Sequence, residues 1–158
     1  MEKFKAFCKR KNIEVSAKRY GIDALGAMAQ GLFCSLLIGT IIKTLGAQLG
    51  VTFLTDIGTY AMSVSGPAMA IAIGYALQAP PMVLFSLVPV GYATNAMGGA
   101  GGPLAVLVTA IVAAEFGKAV SKETKVDILV TPIVTILVGI GLAMLVALSL
   151  IHISEPTR

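Results

Sequence analysis

Charged and reactive side chains are scarce in this 158-residue chain, and their scarcity narrows its possible functions. Only 13% of the residues are charged, and histidine occurs once. Cys8 follows a basic stretch and Cys34 lies in an apolar one, so we expect no disulfide between them. The sequence contains no zinc-ligand spacing, no Ser/His/Asp set and no phosphate-binding glycine motif. We therefore expect no catalytic residue, no metal site and no cofactor.

Apolar residues make up 56% of the chain, which is more than a soluble domain carries. Several apolar runs reach the roughly 20 residues that cross a bilayer. We predict an all-α membrane protein with about five transmembrane helices: Ala17–Thr44, Ile57–Leu77, Met82–Met97, Pro103–Val120 and Val126–Ala147.

The N-terminal 20 residues are basic and include Lys3, Lys5, Lys9 and Arg10. Phe4, Phe7 and Cys8 fall on one helical face, as in a short amphipathic helix lying on the cytoplasmic membrane surface. A solvated basic tail is the alternative interpretation. Ser16 is the predicted N-cap of the first spanning helix.

The positive charge lies mainly in the N-terminal stretch and in the loops, so the net charge of +4 indicates orientation in a membrane and not binding of nucleic acid. Five crossings from a cytoplasmic N-terminus place Ser121–Lys125 inside and the polar loop Gly46–Asp56 outside. Only Lys43 is then on the outer side. This distribution predicts a multi-pass membrane protein with its N-terminus in the cytoplasm.

Small residues recur every four positions along the predicted first helix. A stripe of this kind lets a second helix approach closely, either within the chain or in a homodimer. The predicted helix-packing face consists of Ala27, Gly31, Ser35 and Gly39.

Glycine and proline mark the breaks between helices. Gly66–Pro67 predicts a kink in the second helix, and Ala79-Pro80-Pro81 predicts its end. The stretch VPVGYATNAMGGAGGP, from Val88 to Pro103, separates the third and fourth helices. It forms either a plain hairpin or non-helical backbone that lines a cavity, as in transporters with broken helices.

Few polar side chains lie at membrane depth. Thr94, Asn95 and Glu115 are the candidate substrate-binding residues, because ionisable and polar groups inside a membrane often mark a ligand path. Hydrogen bonding between helices is the alternative use for Thr94 and Asn95. Glu115 and Lys118 are spaced i, i+3, so we expect an ion pair near the helix end. Thr124 with Asp127 matches a capping box before the fifth helix.

The last eleven residues, LSLIHISEPTR, match the translation of a transposon adapter used in sequencing libraries. We therefore expect Leu148–Arg158 to be non-native sequence and the natural protein to continue differently after Ala147. The single histidine, His152, lies in this tail and supports no catalytic role.

Three stretches of the chain resemble the membrane component of the bacterial phosphotransferase system, enzyme IIC. They are VSAKRYGIDALGAMAQGLFCSLLIGTIIKTLG, GPAMAIAIGYALQAPPMVLFS and AEFGKAVSKETKVDILVTPIVT. The most similar branch is one whose members are also labelled toxin-regulator membrane proteins. The resemblance covers Met1–Ala147, with residues 1–20 as the basic N-terminus and residues 21–147 as the N-terminal membrane half.

The resemblance implies a sugar permease of about ten helices, roughly twice this length. In such permeases the first half supplies much of the dimer contact, and the second half carries the sugar-binding residues. Cytoplasmic IIA and IIB partner subunits carry the phosphoryl group on Cys or His, so the membrane subunit itself does not transfer it. A truncated form is expected to be inactive alone. Two alternatives stay open: a membrane sensor or regulator on the same fold, and an unrelated small transporter.

Overall fold

The computed structural model describes residues 2–10, 18–121 and 127–154, which form helices joined by short turns. The predicted all-α membrane fold is confirmed. The helices, in chain order, are α1 (Glu2–Arg10), α2 (Tyr20–Leu49), α3 (Thr52–Ser63), α4 (Ser65–Ala76), α5 (Pro81–Gly98), α6 (Gly102–Val120) and α7 (Asp127–Ser154).

Helix α2 is longer than predicted, and the prediction of a loop over Gly46–Asp56 is wrong. The helix continues to Leu49, turns at Gly50 with a φ of 69°, and α3 begins at Thr52. Two threonine hydroxyls of α3 bond within the helix, since Thr55 Oγ1 donates to the Val51 carbonyl at 3.4 Å and Thr59 Oγ1 to the Thr55 carbonyl at 2.9 Å. Such i−4 bonds let polar residues continue a helix where composition alone indicates a loop.

One π-helical turn, Arg19–Asp23, forms the start of α2, and a second, Phe33–Leu37, interrupts the helix. In the second turn Ser35 Oγ donates to the Gly31 carbonyl at 2.7 Å. The hydroxyl therefore bonds within its own helix while the residue is buried. The predicted N-cap, Ser16, lies outside the described residues.

The predicted kink in the second spanning segment is present and separates α3 from α4 by 48°. It is centred at Val64, slightly before Gly66–Pro67. Pro67 occupies the first turn of α4, where a missing N–H costs no hydrogen bond. The proline pair after Ala79 also acts as predicted, because α4 ends at Ala76 and α5 starts at Pro81.

Helix α5 is continuous, although Pro89 interrupts its sequence pattern. It spans 18 residues, or about 27 Å at the usual helical rise. It packs against α4, α6 and α7, which makes it the central helix of the bundle. Its turns bury Val83, Leu87, Val90 and Thr94.

The helices alternate in direction, as the contacts of their glycines show. Gly66 of α4 faces Gly91 of α5, while Gly74 faces Leu87, so the two helices are antiparallel. Thr109 of α6 bonds to Thr94 of α5, and Gly117 of α6 faces Thr135 of α7. The pairs α5–α6 and α6–α7 are joined in sequence by short connections and continue this alternation.

By length and hydropathy, three helical stretches of the described chain are able to cross a membrane, and a fourth if the bent pair is one span. They are Tyr20–Leu49, Gly102–Val120 and Ile128–Val146, with α3 and α4 together as the fourth. The predicted third span, Met82–Met97, corresponds to α5 and is not among them. Its polar and proline residues lower its hydropathy, but its central position shields them from lipid.

The outer surface of the bundle is covered by large apolar side chains. They include Phe33, Tyr75, Phe85, Phe116 and Leu137, each more than half exposed. Such a surface is unfavourable in water and suits the hydrocarbon region of a bilayer.

Helix α7 covers Asp127–Ser154 and therefore extends into the tail Leu148–Arg158, while its predicted first residue, Val126, lies outside the described residues. The proposed capping residue Thr124 and most of the loop Ser121–Lys125 lie outside the described residues. The sequence-based orientation of that loop therefore stays a prediction.

The predicted packing face of α2 contacts two helices of the same chain. A Cβ at Gly31 would lie 2.6 Å from the Ala68 carbonyl oxygen of α4, and a Cβ at Gly39 would lie 2.9 Å from the Gly58 carbonyl oxygen of α3. Ser35 is buried between them and Ala27 is half-buried. The helix backbones therefore approach closely at Gly31 and Gly39, because neither residue has a side chain.

Two glycines of α2 allow a matched test of this packing. At Gly31 an added methyl group meets backbone, whereas at Gly26 it meets no atom within 4 Å. We expect Gly31→Ala to lower the free energy of unfolding in mixed micelles by about 1–3 kcal/mol, the usual cost of overpacking. Gly26→Ala should instead raise it by up to about 1 kcal/mol, because alanine favours helix. Equal effects at the two positions would contradict a packing role for the stripe.

Candidate functional site

Buried polar side chains form two groups inside the bundle. The hydroxyl cluster lies where α5 turns into α6 and consists of Ser65, Thr94, Asn95 and Thr109. The ion-pair cluster lies near the end of α6 and consists of Glu115, Lys118 and the carbonyl of Leu77. The first sits at the hairpin end of α6 and the second at its C-terminal end.

The threonines of the hydroxyl cluster join α5 to α6. Thr109 Oγ1 lies 3.2 Å from Thr94 Oγ1 and 2.8 Å from the carbonyl oxygen of Ala105 in its own helix. Thr94 Oγ1 donates to the Val90 carbonyl at 2.6 Å. Because both residues are almost fully buried, these bonds offset the cost of removing the hydroxyls from water.

Asn95 connects α5 to the starts of α4 and α6. Its side-chain nitrogen lies 3.4 Å from Ser65 Oγ, and its side-chain oxygen occupies the space that a Cβ at Gly102 would take. Only glycine at position 102 therefore admits this amide. The sequence suggested Thr94 and Asn95 as ligand residues, and the structure gives both of them partners on neighbouring helices.

The break between α5 and α6 is a tight hairpin. A single 3₁₀ turn, Gly99–Gly101, joins the two helices, and Gly99 has a φ of 54°. Of the two interpretations of Val88–Pro103, the hairpin describes this connection. The glycine run is needed because the chain reverses within three residues.

Lys118 is the largest fully buried side chain among the described residues, with 1% exposure. Its Nζ donates to the Leu77 carbonyl oxygen at 2.8 Å and to Glu115 Oε1 at 3.1 Å. The predicted Glu115–Lys118 pair is present. Its burial and the bond to Leu77 were not predicted, because both depend on where α4 ends in space.

Glu115 keeps one acceptor available. Its side chain is 14% exposed, while Oε2 is buried and has no hydrogen-bond partner among the described residues. A buried carboxylate oxygen without a donor is costly, so such an atom is suited to accept a hydrogen bond from a ligand or from water.

The start of α7 adds hydroxyl groups near the ion-pair end of α6. Thr131 and Thr135 are fully buried, and Thr135 Oγ1 contacts Gly117, directly before Lys118. Ser121, at the end of α6, is also buried. Sequence analysis missed these residues. Their spacing by four along α7 was the available signal, since i and i+4 share a helical face.

The three candidate substrate-binding residues do not meet in one place. Glu115 lies six residues beyond Thr109, about 9 Å along α6 at the usual rise, and pairs with Lys118 of the same helix. The structure therefore brings Thr94 to Thr109, Asn95 to Ser65, and Glu115 to Lys118. Substrate binding by any of them stays a prediction.

An open groove of about 820 Å³ lies on the outside of the bundle between α2 and α4. Small residues line its floor, including Gly26, Ala27 and Ala72, and Asp23 and Gln30 supply polar groups. Part of the predicted packing stripe thus faces this groove. In the described part of the chain, no three His, Cys, Asp or Glu side chains come close enough to hold a metal ion.

Removing Lys118 should destabilise the bundle. Lys118→Met deletes two hydrogen bonds and leaves the Glu115 carboxylate buried without its cation, and breaking a buried pair in this way costs about 3 kcal/mol. We expect this loss in the free energy of unfolding measured by SDS titration in mixed micelles. The double variant Glu115→Gln/Lys118→Met should recover part of it, because no charge then stays buried. Lys18→Met, at an exposed lysine, is the control. A loss no larger than that of Lys18→Met would contradict this role.

Comparison of the sequence with protein-family models assigns the chain to a family. Residues 22–155 match the family model described as phosphotransferase system, EIIC. No curated protein sequence and no solved structure shows significant similarity to the chain. The match covers nearly all of the bundle and extends into the tail from Leu148, whose non-native origin stays a prediction. The chain is an apolar, multi-helix membrane protein that matches this model over most of its length. It therefore belongs to the phosphotransferase system EIIC family.

Proposed function

We propose that the chain is the sugar-translocating membrane subunit of a bacterial phosphotransferase system. Its family membership over residues 22–155 carries this proposal. The permease binds a sugar and exposes it to the cytoplasm, where IIA and IIB partner subunits phosphorylate it. In this proposal the cytoplasmic partners, and not the permease, carry the phosphoryl group.

Glu115 is the strongest of the three proposed substrate-binding residues. Its Oε2 is an unused acceptor, and carboxylates accept hydrogen bonds from hydroxyl groups strongly. Lys118 keeps the other carboxylate oxygen in place. Thr94 and Asn95 contribute indirectly in this proposal. Their side chains already bond to α6 and α4, so they hold the hairpin between α5 and α6 in place.

We further propose five crossings with the N-terminus in the cytoplasm. The distribution of lysine supports this orientation, because Lys43 is then alone on the outer side while the ends of α4 and α6 lie inside. In this arrangement the ion-pair cluster is cytoplasmic and the hydroxyl cluster lies toward the outer side. A homodimer is part of the proposal, and the groove between α2 and α4 is open to receive a helix.

Transport requires more than this bundle supplies. A sugar hydroxyl needs several fixed partners to offset its loss of hydration. Most buried hydroxyls here already bond to carbonyls or to each other. We therefore propose that the natural permease has a second half and that residues 1–147 alone do not transport sugar.

A chimeric permease tests this function. Residues 22–147 would replace the N-terminal half of an active EIIC permease, and sugar uptake would be measured in a strain that lacks its own permease but retains the cytoplasmic subunits. We expect uptake by the chimera and none by residues 1–147 alone. Glu115→Gln in the chimera should raise the KM for sugar about 10- to 100-fold, because a hydrogen bond to a charged acceptor is lost.

The matched control is Asp56→Asn, which neutralises an exposed acid on α3. Western blotting of membranes would correct for the amount of each variant. Uptake by residues 1–147 above the empty vector would contradict the need for a second half. A chimera that reaches the membrane intact without transporting any tested sugar would contradict the permease function. Equal KM values for Glu115→Gln and Asp56→Asn would remove Glu115 from the sugar site.

A further inference from the structure

We propose that α1 is a docking surface for anionic phospholipid headgroups, which holds the N-terminus flat on the membrane beside α2. This proposal does not depend on sugar transport. It rests on the composition of α1, the exposure of its aromatic face, its length and its tether to the first spanning helix.

Charge and apolar surface are arranged around α1 as an interfacial helix requires. Glu2–Arg10 carries four basic side chains and one acidic side chain. Lys3 and Lys5 are the direct neighbours of Phe4, and successive residues are separated by about 100° around a helix. The two ammonium groups therefore flank the aromatic face on either side. From there their flexible stems reach lipid phosphates while the ring enters the acyl boundary.

The aromatic face is not used within the described structure. Phe4 is 70% exposed, and no other described helix packs extensively on α1. Phe7, one turn further, is partly covered by the guanidinium of Arg10, which lies 5.5 Å from the ring centroid. Arg10 thus covers the ring of Phe7, while the ring of Phe4 is exposed. An exposed ring flanked by two lysines is suited to a membrane surface, where lipid phosphates lie next to acyl chains.

The length of α1 supports a surface partner. A helix of nine residues is shorter than the roughly 12–15 residues that are stable in water without contacts. Seven residues separate Arg10, the end of α1, from Lys18, so their Cα atoms lie at most about 29 Å apart. Because α2 enters the bilayer just after this point, the membrane surface is the nearest extended partner for α1.

Tryptophan fluorescence tests this inference, because these 158 residues contain no tryptophan. The full chain would be reconstituted with Phe4→Trp or with Ala6→Trp, which lies on the opposite side of α1 and is exposed. One set of vesicles would contain phosphatidylcholine only, and the other would contain one-third phosphatidylglycerol. Phospholipids brominated on their acyl chains would serve as quenchers.

We expect strong bromolipid quenching of Phe4→Trp in the phosphatidylglycerol vesicles, weak quenching in phosphatidylcholine, and little quenching of Ala6→Trp in either. The double variant Lys3→Gln/Lys5→Gln should lower the ratio of docked to free α1 about 25-fold at low salt, because each basic residue contributes about fivefold. Lys18→Gln, which removes a charge outside α1, should leave quenching nearly unchanged.

Three results would overturn the inference. Equal quenching at positions 4 and 6 would mean that α1 has no membrane-facing side. Equal quenching of Phe4→Trp in the two vesicle types would exclude recognition of anionic headgroups. A short-wavelength emission of Phe4→Trp without bromolipid quenching would place the side chain against protein and not lipid.

Discussion

The contact between the backbones of α4 and α5 determines how the rest of the bundle is arranged. At Gly66 and Gly91 the two helices approach until each carbonyl oxygen occupies the space of the other residue's missing Cβ. In a bilayer, water does not drive helices together, so association depends on close packing and on hydrogen bonds. This approach places α5 against α4, and the short hairpin at Gly99–Gly101 then returns α6 along its other side. Helix α7 completes the enclosure.

A central position explains why α5 tolerates residues that weaken a membrane span. Pro89 removes one backbone donor, and Thr94 and Asn95 bring polar atoms to membrane depth. At a lipid-facing position these groups would be costly. Here Thr94 bonds within its helix and to Thr109, and Asn95 reaches Ser65. Polar groups at membrane depth are stable where neighbouring helices supply their hydrogen-bond partners. Helix α5 is therefore stable in the membrane because other helices surround it, although its hydropathy is low.

The sequence predicted the features that depend on local chemistry. Apolar runs located the spanning segments, and proline and glycine located the bend near Gly66 and the end of α4. The i, i+3 spacing predicted the Glu115–Lys118 pair. The sequence did not predict that the segment after Gly46 is helical, because glycine, threonine and aspartate there are typical of a loop. Nor did it predict the burial of Lys118, whose partner at Leu77 is distant in sequence and adjacent only after folding.

The account depends on α5 crossing the membrane as one helix between α4 and α6, although its hydropathy does not show this. Cysteine accessibility tests it most directly, with Pro81→Cys or Gly101→Cys introduced into the chain carrying Cys8→Ser and Cys34→Ser. These positions mark the two ends of α5. We predict that a membrane-impermeant maleimide labels Gly101→Cys in intact cells and labels Pro81→Cys only in inverted vesicles. Labelling of both positions from the same side would show that α5 re-enters without crossing and would contradict the account.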